Sequence, residues 1–195
     1  MPDRQAVSPE LLRKFQEIGR DLFLAGLISS HGGNMSVRRS SSLFITRHSS
    51  MLGRLKKSDI IEVGLEALSH RQASSELIVH RALYQVTKAF AIVHAHPPVA
   101  IALSLALSAG EIVPLDLEST VLIGNVPIIE VEQATGSQEL ADAMCESLCD
   151  RKIVMVRGHG SFAVGETLEE AYEWTSCLEQ ASRVLLASML VERKS

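Results

Sequence analysis

The chain has 195 residues, 46% hydrophobic and 22% charged, which suits one globular domain that buries a sizeable core without disulfide staples. Its net charge is -4 and no run of Lys and Arg is long enough to track a phosphate backbone, so nucleic-acid binding is disfavoured. Cys145, Cys149 and Cys177 form no C-x-x-C motif, "MPDRQAVSPE" lacks the apolar core of a signal peptide, and no apolar stretch nears the roughly 20 residues of a membrane span, so a soluble cytoplasmic protein is expected.

Ser8-Pro9 reads as an N-cap followed by a first-turn proline, and Leu12, Phe15, Ile18 and Leu22 recur at helical spacing until Gly26; the first element is an amphipathic helix. The turn-rich "HGGNMSVRRSS" leads into a short strand, "SLFIT" (42–46), then a polar loop and a second strand, "DIIEVG" (59–64). From Ser75, the positions Leu77, Leu83 and Val86 predict a helix running to about Lys88. "AFAIVHAH" has the density of a buried strand, Pro97-Pro98 stops it, and "VAIALSLALSAG" resumes as a helix ending at Gly110. "VLIGNVPIIEV" reads as two short strands around Gly124-Asn125, and "SQELADAMCESLCDRK" as a helix capped by Ser137. "KIVMVRGHGSFAVG" gives strand, tight turn, strand, and Thr167 caps a long final helix. Without repeats or linkers, residues 1–195 are expected to form one domain, a sheet covered by helices whose strands need not be parallel.

In a strand, residues two apart share a face, so His94 and His96 present two imidazoles side by side. An H-x-H pair can be purely structural, but His159, set between Gly158 and Gly160 at the end of "IVMV", offers a third. Three neutral imidazoles make a catalytic zinc site with an open fourth position; a closed structural site would need another ligand, and no paired cysteines supply it. In "ASSELIVH", Ser74, Ser75 and Glu76 sit at a helix start. They read either as a cap with a first-turn acid, or as an anion site with a carboxylate placed for general base catalysis. In "HGGNMSVR", Gly32-Gly33 lets the backbone bend around an anion while Asn34 offers an amide; "ITRHSSM" adds hydroxyls at Thr46, Ser49 and Ser50 and charge at Arg47 and His48.

Read in order, "GGNMSVR", "FITRHSS", "SSELIVH", "IVHAHP" and "RGHGSFAVG" resemble the class II aldolase/adducin family, from about Glu17 to Leu186. The resemblance implies a three-layer α/β/α sandwich with a mainly antiparallel central sheet. It implies zinc, or another divalent metal, on His94, His96 and His159, with Glu76 as acid/base that can also touch the metal. Phosphate would be held by Gly33 and Asn34, by Ser74 and Ser75, and by His48 and Ser49. The implied reaction is cleavage of a ketose 1-phosphate, as in the family's fuculose-phosphate aldolases, to dihydroxyacetone phosphate and an aldehyde. The implied partners are a small phosphosugar substrate and further copies of the chain in a homotetramer, with neither nucleic acid nor membrane.

The chain departs from the family pattern in three places. Where the family usually reads proline, Ser/Thr and glycine after the strand threonine, this chain has Arg47, His48 and Ser49, so a glycine is lost and a positive charge gained. Glu118 takes the place of a tyrosine proton donor contributed by a neighbouring subunit, and Ser195 falls where family members continue into a tail. Pentulose-phosphate 4-epimerases, phosphosugar dehydratases and decarboxylases of the same fold would use similar ligands. A non-enzymatic adducin-like module is the alternative of a different kind, and retention of His94, His96, His159 and Glu76 together argues against it.

Overall fold

The structure is a computed structural model and describes residues 7–67 and 69–192; most of the segment read for a signal peptide lies outside them. Eight strands form one sheet: β1 (Asn34–Arg39), β2 (Ser42–Thr46), β3 (Ile60–Gly64), β4 (Ala91–Ala95), β5 (Glu111–Ile112), β6 (Val126–Ile129), β7 (Ile153–Val156) and β8 (Gly160–Gly165). Their order is β3-β2-β1-β4-β8-β7-β6-β5, and every neighbouring pair is antiparallel except β6 and β7. The helices are α1 (Pro9–Leu24), α2 (Leu77–Val86), α3 (Pro98–Ala106), α4 (Leu117–Leu122), α5 (Gln138–Leu148) and α6 (Leu168–Glu192).

Period-2 alternation divides the core into two layers. On one face, Ala91, Val93 and Ala95 of β4 pack with Phe15 of α1, Leu103 of α3 and Leu178 of α6. On the other, Ile92 packs with Leu83 of α2, Met144 of α5 and Phe162 of β8. The result is the expected three-layer α/β/α sandwich with a mainly antiparallel sheet. The caps foreseen in the sequence are formed: Ser8 Oγ accepts from Leu11 N at 3.2 Å, Ser137 Oγ from Leu140 N at 2.9 Å, and Thr167 Oγ1 from Glu170 N at 3.1 Å. Among the described residues no helix is long and apolar enough to cross a membrane.

Three expectations need correction, the first being that α3 ends at Ala106, with Leu107 already extended, rather than at Gly110. "NMSVRR" is not part of a turn but strand β1, lodged between β2 and β4. Its buried Ser36 hides the alternation, because a hydroxyl bonded to His80 Nδ1 at 2.7 Å and Tyr84 Oη at 2.8 Å replaces an apolar side chain. "VLIGNVPIIEV" is a helix end and one strand rather than two strands. Asp116 caps α4 by accepting from Ser119 N at 2.8 Å, and β6 finds its antiparallel partner upstream, in Glu111–Ile112.

Candidate active site

Sheet register brings the residues of interest into one row. Asn34 of β1 lies opposite His94 of β4, and His94 lies opposite Phe162 of β8. The His94 ring stacks on Phe162, with centroids 4.1 Å apart and planes at 20°. Its Nδ1–H donates to the Ser161 carbonyl at 2.9 Å, which fixes the tautomer and leaves Nε2 with a free lone pair. His96, just past the end of β4, brings its Nε2 to 3.0 Å from that of His94. His159 comes from the β7–β8 turn, and one nitrogen of each ring falls within a sphere of contacts no longer than 4.8 Å.

Glycines allow this convergence by removing side chains from the path of the rings. A Cβ on Gly160 would stand 2.4 Å from the Ala95 carbonyl oxygen and 2.6 Å from His96 Cδ2. One on Gly32 would stand 2.8 Å from His96 Nδ1, and Gly33, at φ +74°, would strike the His94 carbonyl oxygen at 2.7 Å. The glycines next to the histidines therefore serve ring packing as well as any approach of a ligand.

Burial holds the imidazoles neutral: His94 titrates well below its ordinary range, His96 is pushed down to about 4, and His159 is lowered as well. Three neutral rings with converging lone pairs have no acid among them to share a proton. They fit a divalent cation bound by nitrogen, and the two facing Nε2 atoms are the donor set such an ion requires.

Glu76 occupies the cap position of α2 but caps nothing with its side chain. Only 2% exposed, it accepts from Gly136 N–H on Oε2 at 3.1 Å, while Oε1 is buried with no partner. Burial outweighs that one hydrogen bond and lifts its pKa from 4.5 to about 7. A cap residue is normally exposed and satisfied, so this geometry favours the chemical reading of "SSE" over the bland one. Glu76 lines the cleft with the histidines, though its carboxylate is not in the three-nitrogen cluster.

That cleft, about 150 Å³, gathers every residue singled out for phosphate: Gly33, Asn34, His48, Ser49, Ser74 and Ser75. Asn34 Oδ1 is buried with no partner; as an acceptor it could meet a substrate hydroxyl, and an anion would be met by the Nδ2 side of the same amide. The serine pair and the 47–49 segment meet because the chain continues past β2. Ser74 N donates to the Thr46 carbonyl at 3.1 Å, His48 N to the Gln72 carbonyl at 2.9 Å, and Arg47 forms a bridge with Ala73. Ser49, at the place where the family usually has glycine, stands at φ +55°, a left-handed backbone that glycine adopts more readily than serine. Glu118 is on the exposed side of α4, outside this cleft.

Sequence reasoning missed His31 and Thr135, which also line the cleft, and Gly136, which donates to Glu76. Gly136 had one available signal: a glycine directly before the Ser137 helix cap, here at φ +57° with its Cβ position 2.8 Å from the Ser75 carbonyl oxygen.

The model of the class II aldolase and adducin N-terminal domain family matches residues 13–186. L-fuculose phosphate aldolase of Methanocaldococcus jannaschii is 27% identical over 93% of this chain and 98% of its own length. The 3-oxo-tetronate 4-phosphate decarboxylase of Escherichia coli is 27% identical over 95% of this chain and 90% of its own. The crystal structure of L-fuculose-1-phosphate aldolase from Thermus thermophilus has a TM-score of 0.93 at 38% identity, covering 96% of this chain and 98% of that one. With the histidine cluster in place and this breadth of likeness in sequence and fold, the chain belongs to the class II aldolase/adducin family and is an enzyme of its metal-dependent type.

Proposed function

We propose that the protein is a zinc-dependent aldolase that cleaves a ketose 1-phosphate into dihydroxyacetone phosphate and an aldehyde, acting in carbohydrate metabolism as a cytoplasmic homotetramer of single-domain chains. The observation that carries this reading is the sharing of one cleft by three converging imidazoles, a buried unpaired carboxyl oxygen and a cluster of anion donors. His94, His96 and His159 would hold the metal, with Glu76 lining the same cleft. The bound ion would supply Lewis-acid polarisation of the substrate carbonyl and stabilise the charge that develops there.

The chain's own residues do the rest. Gly33, Asn34, His48, Ser49, Ser74 and Ser75 seat the phosphate and so fix the reacting carbons relative to Glu76. In the condensation direction the Glu76 carboxylate takes a proton from the hydroxymethyl carbon of dihydroxyacetone phosphate; in cleavage it returns that proton. Burial raises the pKa of this carboxyl, which favours holding the proton it must return in cleavage, while a bound metal ion would favour the ionised form that accepts one. Burial of the carboxyl keeps bulk water from quenching the carbanion.

A second reading is favoured by the equal identity of the Escherichia coli decarboxylase. Loss of carbon dioxide from a 3-oxo acid phosphate leaves the same kind of carbanion, and Glu76 would protonate it. The two separate on one assay with zinc-loaded protein: release of dihydroxyacetone phosphate from a panel of ketose 1-phosphates, against release of carbon dioxide from 3-oxo-tetronate 4-phosphate. Carbon dioxide without dihydroxyacetone phosphate would replace the aldolase assignment. A monomer in light scattering at full activity would remove the tetramer.

A further inference from the structure

Arg47 is the one permanent cation among the described residues lining the cleft. Its guanidinium is braced from one side: Nε and Nη2 both donate to Asp59 Oδ1, at 3.0 and 2.7 Å. Asp59 is itself fixed, because Oδ2 accepts from Lys56 N at 2.9 Å and its carbonyl accepts from Arg47 N at 2.7 Å. The anchor is buried and the cation is not: the Asp59 side chain is 8% exposed, that of Arg47 45%.

A guanidinium has two edges that can grip an oxyanion with paired N–H bonds, the Nε side and the Nη1/Nη2 end. Asp59 takes the first. The end edge, with Nη1, has no protein acceptor among the described residues. The backbone bridge from Arg47 to Ala73 brings residue 47 next to the Ser74-Ser75 segment, Arg47 lines the same cleft as both serines, and Ser49 follows two residues later in its left-handed turn. A fully committed ion pair would be a structural brace. One that leaves the end edge open at the rim of an anion-binding cleft is a brace with a ligand side.

We propose that Arg47 is the specificity-determining cation of this cleft, gripping the substrate's phosphate through the end edge of its guanidinium, and that Asp59 is the positioning residue that holds the edge there. The inference rests on the substrate being a phosphate ester. It gives a use to the charge gained beside the Ser49 turn: charge-assisted paired bonds are added to backbone and hydroxyl donors. Selectivity follows, since a lysine at this place would offer a point charge without the fork.

The test is calorimetric titration of zinc-loaded protein with inorganic phosphate and with dihydroxyacetone phosphate, on wild type, Arg47→Ala, Arg47→Lys, Asp59→Asn and Ser75→Ala. Arg47→Ala should weaken both ligands about 10–100-fold, the worth of hydrogen bonds to a charged group, and Arg47→Lys should recover little of it. Asp59→Asn decides the positioning role by its sign. If Asp59 merely neutralises Arg47, removing its charge frees the cation and phosphate binds as well or better. If it positions Arg47, the ligand must now order the side chain, and affinity falls about 2–10-fold with KM rising and kcat little changed. Equal or tighter phosphate binding by Asp59→Asn would overturn the positioning role, and unchanged binding by Arg47→Ala would overturn the grip. Weakening by Ser75→Ala alone would leave the phosphate reading standing and sink this inference; no phosphate binding by wild type would sink both.

Discussion

The histidine end of the cleft stands on paired strands, whereas the phosphate end is assembled from loops. His94 is held by ladder bonds on both sides, a carbonyl under Nδ1 and an aromatic ring against its face, and the glycines around it leave no room for a side chain. The 47–49 segment has no such frame; backbone bonds from Arg47 to Asp59 and from His48 to Gln72, a bridge to Ala73 and one ion pair keep it in place, and its Ser49 tolerates a left-handed backbone. The difference teaches where this fold is constrained. On the proposed reading, the end that would hold a metal ion cannot shift without losing it, while the end that would seat the anion can be rewritten residue by residue. Several experiments can break or sharpen that contrast.

The largest effect is expected from His96→Ala. Two facing Nε2 atoms become one, and the purified variant should contain little metal and no measurable aldol activity. Metal analysis showing the same stoichiometric zinc as wild type would remove His96 from the site and undo the contrast at its rigid end.

Glu76→Gln comes next, with turnover falling about 10²–10⁴-fold while substrate affinity is kept. Metal content must be measured alongside, since a glutamate that also touches the ion would lower occupancy. The same variant carries a pH signature in metal-free protein. Folded Glu76 holds its proton to about pH 7, but an ordinary glutamate in the unfolded chain releases it near 4.5. Between these values folded Glu76 binds more protons than an unfolded glutamate, so its own contribution to stability falls as pH rises from 4.5 to 7 and is level beyond, against the opposite slope of the buried histidines, which both proteins share. Glu76→Gln lacks that slope, and relative to wild type it should gain about 1–3 kcal/mol across the window in denaturant melts. Parallel curves for the two proteins would mean that Glu76 is not the buried acid described here.

Much of the rigid end was legible in the sequence because its information is local. Two histidines in an apolar strand share a face by period alone, and "GHG" at the end of another strand marks a tight turn. The phosphate end was legible only through likeness to a family, since nothing in "RHSS" says that it pairs with "QASS". Three further features depend on distant partners and could not be read locally. Strand β1 hides its alternation behind Ser36, whose bonding partners lie on α2. The partner of Glu76, Gly136, is 60 residues away. The partner of Arg47, Asp59, lies 12 residues on, across short helical turns that no local pattern links to it.

Gly160→Ala probes the rigid end from its packing. The added methyl would meet the Ala95 carbonyl oxygen at 2.4 Å, and neither strand of the ladder can yield without moving His94 or His96. A loss of about 1–3 kcal/mol in stability is expected, as for other overpacked sites. Zinc affinity should fall with it, because the strain is transmitted to ligands. A destabilised variant with undiminished zinc affinity would show that the glycine serves folding alone.

Ser49→Gly is the opposite exchange at the other end, and its effect should be the smallest. Ser49 at φ +55° carries strain of about 1 kcal/mol that glycine would not, since a left-handed backbone crowds any Cβ. Glycine also has more freedom to lose on folding, a cost of about 0.5–1 kcal/mol that works the other way. The two nearly cancel, leaving a change in stability between zero and about 0.5 kcal/mol in the variant's favour. What the substitution removes is a hydroxyl at the lip of the cleft, so the affinity for phosphate should fall by about 2–10-fold, the range for one neutral hydrogen bond. Stability held or raised, with binding weakened, would mean that the serine is kept for its ligand contact against its own backbone preference. Stability lost by more than about 1 kcal/mol would instead place Ser49 in the structural frame, and the two ends of the cleft would no longer differ in kind.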